Sequence, residues 1–172
     1  LNLSASSVLS CVAVKIRLLL AALCVLLSAS TASAVLGATL AEITKHRSKK
    51  PDSQPGKDRA VWMFEGNDGL LLYAVKFGDD GRSIYEQLKP GQLGRTLHPD
   101  FVNDFIQAQT AHLKDSPTLL EPKPGEAYRF AGKDLAVAKN EYVLVDAANG
   151  VLIVWVRGSL PSITAITPAA LP

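Results

Sequence analysis

The sequence predicts an α+β domain: an antiparallel sheet of about five to seven strands, a meander plus a C-terminal hairpin, with one main helix packed on it. Three observations predict it. Residues 64–81, FEGNDGLLLYAVKFGDDG, set one apolar run between two acidic, glycine-bracketed turns, and Asn, Asp and Gly tolerate the positive φ that tight hairpins require. Residues 98–113 carry a single apolar stripe at helical spacing. Residues 141–157 place Asn149-Gly150 between two apolar runs, a strong hairpin signal. Strands, then helix, then strands again argue against a doubly wound parallel sheet.

Elements follow in order along the chain. Lys15 and Arg17 precede the greasy run 18–27, and the small residues 28–34 end in Ala32-Ser33-Ala34. That is the pattern of a secretory signal peptide, with cleavage expected between Ala34 and Val35. Residues 1–34 therefore divide into an upstream stretch and a cleavable signal, with Val14 the expected start. An uncleaved anchor is the alternative, since no charge occurs from Leu18 to Ala41 and about 20 residues cross a bilayer. The second half of that span is Ser, Thr, Ala and Gly, which gain little in hydrocarbon, and the Ala-x-Ala triplet decides for cleavage. No stable membrane span is expected afterwards.

Both cysteines, Cys11 and Cys24, fall in the part expected to be removed. The mature chain then has no thiol, which excludes a Cys nucleophile, a Cys-ligated zinc site and a redox role, and leaves an exported protein held by its core alone. About 138 residues suffice, because a domain of that size buries roughly two thirds of its surface.

Residues 35–59 read as a short N-terminal segment and a flexible basic linker. Leu36, Leu40 and Ile43 suit a short helix over 35–44, and 45–59 contain no residue that could bury apolar surface. Residues 60–172 form the globular domain. Val61-Trp62-Met63-Phe64, 70–77 and 82–88 make a three-stranded meander, the third segment also suiting a helical turn. His98-Pro99-Asp100 starts the helix, with Pro at its first position and Asp where the dipole favours it, and the stripe runs about sixteen residues to Asp115-Ser116-Pro117. After a proline-rich loop come 127–130 and 135–138, then the hairpin. Six apolar residues in a row at 151–156 predict a strand covered on both faces. Residues 162–167 add an edge strand that Pro168 ends.

Charge divides along the chain: 35–59 carry six basic and three acidic residues, 60–172 ten basic and thirteen acidic. The mature protein is near neutral, so nucleic acid is not an expected partner.

The chemical motifs give no catalytic, cofactor or metal site. Aligning Gly69 or Gly81 to an EF-hand glycine puts Phe64 and Gly66, or Lys76 and Gly78, where oxygen ligands belong. Nor can the two turns share a cation, since a strand from Leu70 to Phe77 holds them about 26 Å apart. The imidazoles, His46, His98 and His112, have no zinc-ligand spacing; His98 reads as a capping or surface residue and His112 as a helix-face residue. No Gly-x-Ser-x-Gly elbow and no P-loop occur in the mature chain. Glu65, Glu86, Asp104, Glu121 and Glu126 are carboxylates without a distinguished pair. The expected function is a non-catalytic periplasmic domain that binds another protein, such as an inhibitor, immunity-type or envelope-assembly protein, with a sheet edge able to accept a partner strand. The alternative is a small periplasmic hydrolase with a carboxylate or Ser/His site.

Overall fold

The computed structural model of the chain describes residues 36–66, 69–111, 113 and 116–171. The expected cleavage residues Ala32, Ala34 and Val35, and also His112, lie outside them. In chain order the described residues form helix α1 (Leu40–Arg47), strands β1 (Ser53–Gly56), β2 (Arg59–Gly66), β3 (Gly69–Phe77) and β4 (Ser83–Pro90), helix α2 (Pro99–Thr110), then β5 (Leu119–Leu120), β6 (Ala127–Phe130), β7 (Lys133–Ala136), β8 (Glu141–Asp146), β9 (Val151–Val156) and β10 (Ser162–Ile166), closed by a 3-10 turn at Pro168–Ala170.

The fold is α+β. Eight strands form one antiparallel sheet in the order β1-β2-β3-β4-β10-β9-β8-β5, and β6 pairs with β7 in a separate ribbon. The main sheet is larger than the predicted five to seven strands. Part of the difference is β1, whose four residues are all exposed: an edge strand that buries nothing leaves no hydrophobic pattern to read. The second part is β5, only two residues long.

The predicted meander is present as β2-β3-β4, with Trp62 opposite Tyr73 and Tyr73 opposite Leu88. The stretch between the two acidic turns is one strand, β3, so those turns lie at its opposite ends. Gly69 and Gly81 both take positive φ, the conformation these turns require. Strand β10 departs from expectation. It lies in the sheet interior between β4 and β9, not at an edge. Its alternate residues Ile163 and Ala165 are fully buried, and a strand paired on both sides satisfies every backbone group it brings inside.

One face of the sheet carries the main core. Trp62, Tyr73, Val75, Ile153, Ile163 and Ala165 meet Ile43 of α1 and Val102 and Phe105 of α2. On the other face, at the β8-β9 end, the β6-β7 ribbon supplies Phe130, which packs with Val137, Val143, Val145 and Leu152. Each large side chain so buried is worth about 1.5–3 kcal/mol. Strand β9 is therefore covered on both faces through Val151, Leu152 and Ile153. Helix α2 starts as the sequence predicts, with His98 as N-cap and Pro99 at its first position, but spans twelve residues rather than sixteen. The Thr110 hydroxyl bonds back to the Ile106 carbonyl, and Leu113 stays buried in the turn beyond.

Residues 45–59, read from sequence as a linker, contribute the end of α1 and all of β1. The intervening chain is tied to β2 by polar bonds: the Trp62 indole donates to the Lys49 carbonyl at 2.9 Å, Lys49 pairs with Asp52 at 2.8 Å, and Asp52 accepts the Met63 amide at 2.7 Å. No helix among the described residues is long and apolar enough to cross a membrane.

Candidate functional site

Helix α1 is set in place at both ends. Thr39 and Glu42 form a reciprocal capping box at its start, and Ser48 ends it in the left-handed conformation, φ 52°. Ile43 anchors it in the core with no exposed surface. One helical turn on, Arg47 falls on the same inward face. Its guanidinium carbon sits 4.2 Å from the centre of the Tyr73 ring and 5.7 Å from that of Phe64.

Arg47 lines a cavity of about 430 Å³ between α1, α2 and the sheet. From the sheet come Phe64, Leu71 and Leu88, and from α2 come Phe101, Asp104, Phe105 and Ala108; His46 completes the wall beside Arg47. The α2 residues lie at i, i+3, i+4 and i+7, so one helix stripe supplies that side. A mainly apolar hollow of this volume with a few polar groups has the size and character of a small-molecule site. The Arg47 Nε–H is buried and has no acceptor, which costs about 1–3 kcal/mol. No ion pair among the described residues involves Arg47. Burial, and then the Arg47 charge, hold the His46 imidazole below its usual range, which favours its neutral form.

Beneath Arg47 lies a buried polar cluster centred on Glu86, fully enclosed. Its Oε2 accepts the Tyr73 hydroxyl and the Gln109 amide, each at 2.6 Å, and its Oε1 accepts the Ser83 hydroxyl at 2.9 Å. Ser83 and Glu86 are three apart, which in a regular strand would point them to opposite faces. A register shift between Lys76 and Phe77 opposite β4 brings both to the helix face. The cluster also reaches the start of the described chain: Leu36 N–H donates to Gln109 Oε1 and Gly37 N–H to Ser83 Oγ. Burial pushes the Glu86 carboxyl up, against the hydrogen bonds from Tyr73, Ser83 and Gln109 and the Arg47 charge. Burial also drives Tyr73 well above its usual range, helped by the Glu86 charge.

A second buried carboxylate, Asp146, closes the β8-β9 hairpin. It accepts the Ser116 hydroxyl at 2.6 Å, the Thr118 hydroxyl at 2.7 Å, and Asn149 through both its backbone and side-chain nitrogens. Burial raises it, but those bonds outweigh burial and hold it far below the usual carboxylate range. Its acceptor positions are taken up in holding a turn.

The residues weighed from sequence do not converge. His98 caps α2, its Nδ1 accepting the Asp100 amide at 3.3 Å, away from the cavity lining. Of the five carboxylates singled out, Asp104 lines the cavity and Glu86 is enclosed in the cluster below it. Among the described residues, no Ser, Thr, Cys or Tyr lines the cavity, so none of them places a hydroxyl or thiol nucleophile beside His46. Arg47, the residue that most distinguishes the site, was read as part of a solvated basic run. The usable signal was its spacing: four residues after Ile43, it joins the buried face once α1 runs past Thr44.

The chain matches no family model, and no curated protein or solved structure is significantly similar to it.

Proposed function

We propose that this chain is an exported, non-catalytic binding domain whose binding site is the cavity between α1, α2 and the sheet. The observation that carries the reading is the combination within that cavity of apolar walls and an arginine, with no hydroxyl or thiol among the described lining residues. Hydrolysis there would have to proceed through the Asp104 carboxylate or through water activated by His46 or Asp104, since the described lining has no hydroxyl or thiol nucleophile. Binding of a partner protein by strand addition has weak geometric support: β1 is four residues long and contains Pro55, and β5 is two residues long, the devices that blunt a sheet edge. Export rests on the basic pair, the apolar run and the Ala-x-Ala triplet of residues 15–34.

Native mass spectrometry of protein recovered from an envelope fraction tests both parts. The expected result is an N-terminus at Val35 and a bound small molecule released on denaturation. An intact chain beginning at Val14 would overturn export. Turnover of an ester, peptide or glycan substrate that His46→Gln abolishes would replace binding with hydrolysis.

A further inference from the structure

We infer that the cavity takes a small molecule with one carboxylate and a compact apolar body, the carboxylate on Arg47 and the body against Phe64, Leu71, Phe101 and Phe105. This rests on the binding-domain reading and narrows it to a ligand class.

The sign of the head group follows from Arg47. A guanidinium is charged at every relevant pH and carries five donors with no acceptor. Held over the Tyr73 ring and lining the cavity, with no ion-pair partner among the described residues, it brings a planar donor fork to the cavity wall. A carboxylate meets such a fork through two parallel hydrogen bonds. A neutral ligand would leave that cation without an ion-pair partner.

The valence follows from what else lines the cavity. Arg47 is its fixed cation, His46 is disposed to be neutral, and Asp104 brings a negative charge to the same wall. A monoanion pairs with the guanidinium and adds one negative charge beside Asp104, whereas a phosphate monoester dianion would add two. The body follows from the walls. Phe64, Phe101, Phe105, Leu71 and Leu88 present neither hydroxyl nor amide, so a sugar or peptide body would leave its own polar groups without partners. Aliphatic and aromatic bodies share the required chemistry.

Isothermal titration of the full chain with decanoate, 3-phenylpropionate, 1-decanol and decyl phosphate tests the assignment. Decanoate or 3-phenylpropionate binds, while decanol and decyl phosphate bind at least about tenfold more weakly. Arg47→Gln removes the advantage of the carboxylate over the alcohol. Ala108→Phe, which fills the cavity from α2 and leaves Arg47 in place, abolishes binding of every compound and provides an independent variant should Arg47→Gln fold poorly. Decanol binding as tightly as decanoate, or carboxylate affinity unchanged in a folded Arg47→Gln, would overturn the carboxylate class while leaving a binding cavity. Tighter binding of decyl phosphate would overturn the monoanion. Failure of all four compounds to bind the unaltered chain, or binding insensitive to Ala108→Phe, would overturn the cavity as the site.

Discussion

Glu86 and Asp146 are both enclosed carboxylates, yet their surroundings drive them in opposite directions. At Asp146 four donated hydrogen bonds overcome burial. The contribution of Asp146 to stability is present above its unfolded value of about 3.9 and is lost as pH falls through the lower folded value. At Glu86 burial wins over three donors and a nearby cation. Its contribution is complete below the unfolded value of about 4.3 and is lost as pH rises through the higher folded value. Urea midpoints measured from pH 4 to pH 8 should therefore fall away with rising pH more steeply for the unaltered chain than for Glu86→Gln; parallel curves would refute a raised Glu86. Glu86→Leu strands the Tyr73, Ser83 and Gln109 donors in a dry interior and should cost about 3 kcal/mol or more at any pH. The sequence allowed a carboxylate at position 86 to be noted but not its enclosure. Strict alternation places Ser83 and Glu86 on opposite faces, and only the irregular pairing with β3 reverses that.

At the level of elements, the signals that could be read were local ones. The cap at His98-Pro99, the β2-β3 pairing that ends at Gly66 and Gly69, the turn at 78–81 and the Asn149-Gly150 hairpin each depend on neighbours a few residues away, and each is present. What could not be read depended on distant partners or on exposed residues. The sequence of β10 fits an edge or an interior strand equally until β4 and β9 are known to flank it, and β1 has no buried residue to mark it. Helix α1 joins the two kinds of information: its capping box is local, but its value lies in carrying Arg47 to the sheet. Thr39→Ala removes the cap and should cost about 1 kcal/mol, a fall of about 4 °C in Tm, and it should weaken carboxylate binding through the position of Arg47. Thr39→Ser should restore both. Calorimetry and titration on the same samples check the pair of effects, and loss of Tm without any change in affinity would uncouple the cap from the cavity.

The main sheet consists of two meanders, β1 to β4 and β8 to β10, the latter extended by β5 beside β8, and they are joined along β4 and β10, where Leu88 to Tyr85 face Ile163 to Ile166. Each half contains one tryptophan, Trp62 in β2 and Trp155 in β9. If the seam makes the halves one cooperative unit, Trp62→Phe and Trp155→Phe should each lose tryptophan fluorescence and far-UV circular dichroism at a single urea concentration. Separate midpoints would show the halves unfolding independently. The position of β10 also imposes an order in time. Among the described strands β10 comes last in chain order, so β4 and β9 stay unpaired along that seam until residues 162–166 reach them. Closure of the sheet thus waits on residues 162–166, and a chain that stops short of them leaves β4 and β9 as two open edges.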